Sequence, residues 1–242
     1  MKLYVGTSGY GYKEWKGIFY PEKISPKEML GFYSERFKAV EINNTFYRMP
    51  TKSILTSWAK QVPDDFVFAL KAPQVITHLR RLKNVGDETG YLFNSLSALE
   101  SKWGPVLFQF PKSFRADYSA LACFLDLIPD NRSCAFEFRS PSWLDDKILE
   151  LLLQKGCSLC TADVDEKPAE AIIPTASWGY LRLRRSDYSN DDLSQWMERI
   201  LSQKWEKAFV FFKHEGAAIG PKTAIRFQEL IDSRAKKQKT AK

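Results

Sequence analysis

The chain alternates between short apolar runs rich in β-branched and aromatic residues and longer segments whose apolar residues recur every three or four positions. The first pattern is typical of buried strands, and the second is typical of amphipathic helices. The apolar runs predict eight strands, at residues 3–5, 39–42, 66–70, 106–110, 134–138, 158–162, 179–183 and 209–212. Helical spacing predicts helices between most of them, at residues 25–37, 51–61, 90–103, 118–128, 144–155 and 191–203, and a last one at 221–233.

This alternation favours a parallel α/β fold. Eight strands in 242 residues fit a closed TIM-like (β/α) barrel, whose usual size is about 250 residues. A doubly wound open sheet is the alternative, but the glycines of residues 6–11 (GTSGYG) lack the spacing of a dinucleotide-binding loop. Residues 163–178 contain Pro168 and Pro174 and have no helical stripe, which predicts one irregular crossover between strands 6 and 7. We expect a single barrel domain over residues 1–233.

The net charge of +7 is concentrated at the carboxyl end. Residues 234–242 carry five basic and no acidic side chains, and without them 31 basic residues face 29 acidic ones. This segment predicts a disordered basic tail that adds weak, salt-sensitive affinity for nucleic acid. The sequence has no signal peptide and no apolar run of membrane-spanning length, so we expect a cytoplasmic protein without a membrane partner.

Cysteine and histidine content argues against a zinc or redox site. Cys157 and Cys160 have the spacing of a metal-binding pair, but they lie in a predicted strand, where residues three apart point to opposite faces. With only two histidines, the chain lacks the ligands for a cluster of zinc ions. We therefore predict no cofactor and no metal ligands, although a magnesium or manganese ion held by carboxylates is compatible with the residue content.

Polar residues follow most of the predicted strands. Residues 40–50 (VEINNTFYRMP) begin as an apolar strand and place Glu41 and Asn43 on one face, and residues 135–139 (AFEFR) and 159–163 (LCTAD) repeat this pattern. Buried charge is costly unless it is paired or lines a site. In a TIM-like barrel the active site lies at the carboxyl ends of the strands, so these residues predict a pocket at the barrel mouth.

Roles follow from residue type. The predicted catalytic residues are the carboxylates Glu41, Glu137 and Asp163. The predicted substrate-binding residues are Asn43, Phe46, Lys71, His78, Gln109, Arg139, Trp143, Arg182 and Lys213, and His214 follows the same strand as the last of these. The alternative is a structural network in which Glu137 pairs with Arg139 and Glu41 with Lys71, because barrel mouths also hold such ion pairs.

Several motifs along the chain resemble those of the YecE-like family, a family of unknown function (domain of unknown function 72). They are GTSGY at 6–10, WKGIFYP at 15–21, VEINNTFY at 40–47, FVFALK at 66–71, ITH at 76–78, GPVLFQFP at 104–111 and FEFRSPSW at 136–143. The resemblance implies a TIM-like barrel in the cytoplasm and no established reaction. Where many relatives have Arg-Leu-His-Gly and Phe-Asn-Asn-Asp, this chain has RLRR at 182–185 and FKHE at 212–215, so we expect its ligand to differ.

Three functions fit the strand-end residues. The first is phosphate-ester or nucleic-acid chemistry, in which Lys71, Arg139, Arg182 and Lys213 hold an anion and Glu41 or Glu137 is the base. The second is glycoside cleavage by Glu41 and Glu137. The third is ligand binding without turnover. We favour a hydrolase or lyase-like enzyme whose partner is a small anionic, phosphate-bearing ligand or a nucleic acid, because four basic side chains make the mouth locally positive.

Overall fold

A computed structural model describes residues 1–165, 168–169, 171–213 and 216–240 of the 242-residue chain, with side chains described as far as Lys236. Nine parallel strands form one sheet. They are β1 (Lys2–Ser8), β2 (Ala39–Ile42), β3 (Val67–Lys71), β4 (Trp103–Phe110), β5 (Cys134–Phe138), β6 (Ser158–Leu159), β7 (Thr161–Asp163), β8 (Trp178–Leu183) and β9 (Lys207–Phe212).

The sheet closes into a barrel through a break in the predicted sixth strand. Its strand order is β6-β5-β4-β3-β2-β1-β9-β8-β7, so the two ends of the sheet are consecutive in the chain and are joined by Cys160 alone. β6 pairs with β5 and β7 pairs with β8, while the Cys160 amide donates to the Phe136 carbonyl at 2.8 Å. The predicted TIM-like barrel is confirmed, and the open-sheet alternative is wrong.

Helices cover the outside of the barrel. They are α1 (Met29–Ser34), α2 (Lys52–Ala59), α3 (Gly86–Leu96), α4 (Tyr118–Leu125), α5 (Asp146–Gln154), α6 (Asn190–Leu201) and α7 (Ile219–Thr240). None of the described helices is both long and apolar enough to cross a lipid bilayer. The described residues between β7 and β8 form no helix, as the prolines of this crossover predicted.

The carboxyl-terminal helix extends further than the sequence pattern predicted. We expected a disordered tail from Arg234 onward, whereas α7 continues to Thr240. Its last two turns consist largely of lysine, alanine and glutamine, which favour helix even without an apolar stripe. Arg234 also forms an ion pair with Glu198 on α6, which attaches this turn to the barrel. The final two residues lie outside the described part of the chain.

Two separate groups of buried apolar residues stabilise this arrangement. The larger group lies between the strands and the surrounding helices. The smaller group fills the barrel interior and combines small side chains on β2, β3 and β5 with aromatic side chains on β8 and β9. Its buried members are Ala39, Ala69, Leu107, Ala135, Cys160, Trp178, Tyr180, Phe209 and Phe211. The interior is therefore a packed core, and a ligand can enter only at the barrel ends.

Candidate functional site

Side chains along each strand alternate between the interior and the exterior of the barrel, so the interior-facing positions continue as far as the barrel mouth. Side chains two positions apart lie on the same face of a strand, so an interior apolar residue is followed by a residue at the carboxyl end of the same face. Six strands show this step from apolar to polar: Ala39 to Glu41, Ala69 to Lys71, Leu107 to Gln109, Ala135 to Glu137, Tyr180 to Arg182 and Phe211 to Lys213. The predicted pocket residues are thus the layer directly above the apolar interior.

Arg182 connects the two predicted catalytic glutamates. Its Nη2 and Nε donate to Oε1 of Glu41 at 2.8 and 3.2 Å, and its Nη1 donates to Oε2 of Glu137 at 2.6 Å. Nη2 also lies 3.4 Å from Oδ1 of Asn43, whose Nδ2 donates to Glu41 at 3.2 Å. The Tyr180 hydroxyl donates to Oε2 of Glu41 at 2.8 Å. Glu41 is therefore held by Arg182, and not by Lys71 as the structural alternative supposed.

Glu137 has two further arginine neighbours. Its Oε1 accepts from Nη2 of Arg184 at 3.0 Å and from Nε of Arg139 at 3.5 Å. All four oxygens of Glu41 and Glu137 therefore accept hydrogen bonds from the protein. We call Glu41, Asn43, Lys71, Gln109, Glu137, Arg139, Arg182 and Arg184 the mouth cluster.

Both glutamates remain ionised in this environment. Burial by itself raises the pKa of a carboxyl, but for Glu41 the charge of Arg182 and the hydrogen bonds that the carboxylate accepts together outweigh burial and lower the pKa. For Glu137, Arg182, Arg184 and Arg139 likewise outweigh burial and hold the pKa well below its usual range. A carboxylate with so low a pKa is a weak base and cannot donate a proton near neutral pH.

Lys71 has a different environment. Its Nζ donates to Oε1 of Gln109 at 2.8 Å and lies 3.8 Å from the centre of the Phe46 ring. Burial and the charge of Arg182 lower the pKa of Lys71 to about 8, against the opposing effect of Glu137 and Glu41. Nε2 of Gln109 is buried and has no hydrogen-bond partner among the described residues. Lys71 and Gln109 therefore have fewer of their hydrogen-bonding groups paired within the protein than the two glutamates do.

His78 also contacts Phe46. The two ring centres are 4.7 Å apart in an edge-to-face arrangement, and Nδ1 of His78 lies 2.8 Å from the Thr77 hydroxyl. Burial, with the positive charges of Lys71 and Arg139, lowers the pKa of His78 to about 4. The imidazole is consequently neutral at physiological pH, and it can donate or accept a hydrogen bond without adding charge to the site.

Two predicted residues occupy other positions. Trp143 is completely buried, its Nε1 donates to the Phe114 carbonyl at 2.7 Å, and its ring packs on Phe138 and Phe110, so it is a core residue and not a substrate-binding surface. The short turn at Pro141–Trp143 directs the indole inward, a packing choice that the position after a strand did not reveal.

Asp163 faces the irregular crossover rather than the mouth cluster. Its Oδ2 accepts from the Tyr188 hydroxyl and its Oδ1 from the Ala169 amide, both at 2.8 Å. Both oxygens therefore stabilise loops, which does not favour the predicted catalytic role. Lys213 directly follows β9, its amide donates to the Leu183 carbonyl at 3.2 Å, and His214 lies outside the described residues.

Arg184 and Tyr180 were missing from the predicted site. They lie two residues to either side of Arg182, so the same period of two that located the other members identifies Tyr180 on β8 and Arg184 just after it. Arg184 also stands in one of the two segments that depart from the family pattern. With it, the mouth cluster holds four cationic side chains against two carboxylates.

The described residues contain no group of three or more histidine, cysteine, aspartate and glutamate side chains that could hold a metal ion. The two carboxylates of the mouth cluster, Glu41 and Glu137, already accept hydrogen bonds from Arg182, and Glu137 also accepts one from Arg184. The donor set of the mouth cluster is thus suited to an anion.

Comparison with known proteins gives a family and no activity. The sequence profile described as "Protein of unknown function DUF72" matches residues 4–242. The chain is 27% identical to UPF0759 protein YecE of Escherichia coli K12 over 176 residues, which cover 71% of this chain and 62% of that protein. It is 23% identical to UPF0759 protein YunF of Bacillus subtilis 168, with 95% of each chain covered.

Solved structures agree with this assignment. A DUF72 family protein from Thermotoga maritima superposes with a TM-score of 0.84 at 26% identity, covering 96% of this chain and 100% of that one. A DUF72 family protein from Enterococcus faecalis has the same fold, with a TM-score of 0.79 at 18% identity and 95% of each chain covered. The chain therefore belongs to the DUF72 family of proteins of unknown function.

Proposed function

We propose that the protein is an enzyme of the hydrolase or lyase type that acts on an anionic, phosphate-bearing substrate bound at the carboxyl-terminal mouth of the barrel. The observation that carries this proposal is the excess of cations in the mouth cluster, where Lys71, Arg139, Arg182 and Arg184 face only Glu41 and Glu137. A bound anion would balance this excess, and guanidinium groups match the geometry of phosphate oxygens.

The members of the cluster divide into a buried and an accessible part. Arg182 is 3% exposed and its guanidinium donates to both glutamates, so it positions the site's side chains and is not available to a ligand. Arg139 is 46% exposed, and among the described residues its one hydrogen bond is a long contact with Glu137, which leaves most of its donors available to a ligand. Arg139 is therefore the expected first contact of the phosphate, with Lys71 and His78 close to it.

Glycoside cleavage by Glu41 and Glu137 is less compatible with this geometry. That reaction needs one carboxyl group with a raised pKa as the acid. The pKa of each of the two glutamates is instead lowered by arginines. The glutamates are better suited to orienting Arg182 than to proton transfer, so the predicted role of either one as general base is also disfavoured.

The test compares Arg139→Ala with Arg36→Ala. Arg36 is a matched control, because it is 38% exposed, pairs with neighbouring Glu35, and lies between α1 and β2 at the opposite end of the barrel. Isothermal titration with inorganic phosphate, a sugar phosphate and a short oligonucleotide should give binding to the parent protein and to Arg36→Ala. We expect Arg139→Ala to lose at least about tenfold in affinity, the value of one charge-assisted hydrogen bond.

The three ligands separate the sources of the phosphate group. Preference for the sugar phosphate indicates a small-molecule substrate, and preference for the oligonucleotide indicates a nucleic-acid-derived one. Equal affinity of Arg139→Ala and the parent protein for all three would contradict the proposed site. Chromatography measures the conversion of the two esters. Binding of an ester without its conversion would contradict the enzymatic part of the proposal.

A further inference from the structure

Lys71 differs from the lysines that serve as structural cations. A structural lysine usually donates to a carboxylate, which stabilises its charge. Among the described residues Lys71 forms no ion pair, and its nitrogen contacts a neutral amide oxygen of Gln109 and the face of Phe46. The charged groups around it are Arg182 and Arg139, which disfavour the ammonium form, and Glu137 and Glu41, which favour it. Burial and the two arginines outweigh the two glutamates, so the pKa of Lys71 is lowered.

Its position also suits reaction with a ligand. Lys71 is the last residue of β3, on the face that leads from the barrel interior to the mouth, and it is only partly buried. The Thr45 hydroxyl donates to the Lys71 carbonyl at 2.7 Å, which ties the loop that bears Phe46 to this strand end. The strand end and this loop are therefore joined, and the amine contacts both Gln109 on β4 and the Phe46 ring.

We propose that Lys71 is a nucleophile that forms an imine with the carbonyl carbon of an anionic aldehyde or ketone. This inference rests on the proposed function, because Arg139 would hold the phosphate of the same molecule. The Lys71 ammonium first releases a proton, and the neutral amine then attacks the carbonyl carbon to give a carbinolamine. The carbinolamine hydroxyl takes up a proton and leaves as water, which gives the protonated imine. Overall, the ammonium form of Lys71 and the carbonyl give the iminium and one water molecule, so the carbonyl oxygen leaves with two protons of the lysine.

Neighbouring side chains have suitable properties for these steps. The pKa of about 8 leaves an appreciable fraction of neutral amine at pH 7.5, whereas a lysine with a pKa of 10.5 is almost entirely protonated there. Nε2 of Gln109, which has no acceptor among the described residues, is a donor for the developing oxygen of the carbinolamine. Neutral His78, whose ring contacts Phe46 as Lys71 does, can relay a proton without a change in net charge, because one ring nitrogen can accept a proton while the other donates one.

The test is reductive trapping with two matched probes, glycolaldehyde phosphate and glycolaldehyde. Borohydride reduces an imine to a stable secondary amine, and peptide mass spectrometry then identifies the modified lysine in the unaltered chain. We expect glycolaldehyde phosphate to label Lys71 at least about tenfold faster than any other lysine at pH 7.5, because more of its amine is neutral. Lys71→Arg should remove this label, and Lys112→Arg, at an exposed lysine in the loop after β4 at the same end of the barrel, should retain it.

Failure of this inference is distinguishable from failure of the proposed function. If phosphate binds with Arg139-dependent affinity but Lys71 is labelled no faster than surface lysines, the imine is refuted and the anion site stands. If Lys71 is labelled equally fast by both probes and inorganic phosphate does not protect it, the amine is reactive but the phosphate site is refuted. Protection by phosphate together with faster labelling by the phosphorylated probe supports both.

Discussion

At the scale of single residues, one arginine determines how the mouth cluster is held together. Arg182 is buried and satisfies one oxygen of Glu41 and one of Glu137, while Tyr180, Asn43 and the outer arginines satisfy the rest. Removing one partner of a buried ion pair leaves an uncompensated charge, which costs more than the intact pair contributes. The network therefore makes the strand ends of β2, β5 and β8 mutually dependent.

We expect Arg182→Met to lower the free energy of unfolding by about 3–5 kcal/mol, because two ionised glutamates would remain buried without their main partner. Arg139→Met is the matched control, since Arg139 contacts the same Glu137 but is 46% exposed, and it should cost less than about 1 kcal/mol. Urea unfolding of both variants measures the difference. Adding Glu41→Gln and Glu137→Gln to Arg182→Met should restore part of the loss, and equal losses for the two single variants would argue against this account.

At the scale of elements, the barrel is least regular at the split between β6 and β7, which the irregular crossover follows directly. Only two residues of β6 pair with β5 and three of β7 pair with β8, so this part of the barrel has the shortest strands. The segment that follows has no helix in its described residues to pack on the barrel. Asp163, at the end of β7, instead accepts hydrogen bonds from Ala169 within the crossover and from Tyr188 in the loop after β8.

This arrangement predicts a structural phenotype for Asp163→Ala. The buried Tyr188 hydroxyl and the part-buried Ala169 amide would lose their acceptor, and we expect the free energy of unfolding to fall by about 2 kcal/mol, within the range for buried unsatisfied groups. Tyr188→Phe removes one of the two bonds and should cost about 1 kcal/mol, with the double variant costing less than the sum because the two residues share a bond. Urea unfolding gives the stabilities, and titration with phosphate gives the affinities. A variant at Asp163 that folds normally but converts no substrate would instead support the catalytic role predicted from the sequence.

At the scale of the whole molecule, the lowered pKa values of Glu41 and Glu137 couple global stability to pH. A carboxyl whose pKa is lower in the folded state than in the unfolded state stabilises the fold once it is ionised in both. This contribution is complete above the ordinary glutamate pKa of about 4.5 and is lost as pH falls toward the lowered folded-state values.

We therefore expect these two groups to leave the melting temperature nearly independent of pH above about pH 5.5. Below about pH 4.5 they should make it fall steeply. Glu137→Gln should flatten the acid side of this curve, because the substituted residue no longer takes up a proton on unfolding. Glu35→Gln, at an exposed glutamate paired with Arg36, is the control and should leave the slope unchanged. Differential scanning calorimetry between pH 3 and 7 gives the curves, and parallel slopes for Glu137→Gln and the parent protein would contradict the assignment.

The sequence by itself determined the barrel and the composition of its mouth. Short apolar runs alternate with amphipathic helical segments, and this alternation specified the parallel topology. Each strand and each helix must bury its apolar face, and alternating elements do so when the helices pack on a parallel sheet. The prolines between residues 163 and 178 specified the crossover without a helix. Because side chains two apart share a strand face, the same pattern placed Glu41, Lys71, Gln109, Glu137 and Arg182 at one end of the barrel.

Tertiary structure alone decided which of these residues are partners and which are accessible. Arg182 and Lys71 are both cations at strand ends, yet the first reaches both glutamates and the second reaches an amide and an aromatic ring. Trp143 and Phe46 are both aromatic residues that follow a strand, yet only Phe46 lies beside the cluster. These outcomes depend on distances between strands that are far apart in the chain and on how loops pack, whereas sequence periodicity reports only the face of each strand on which a residue lies.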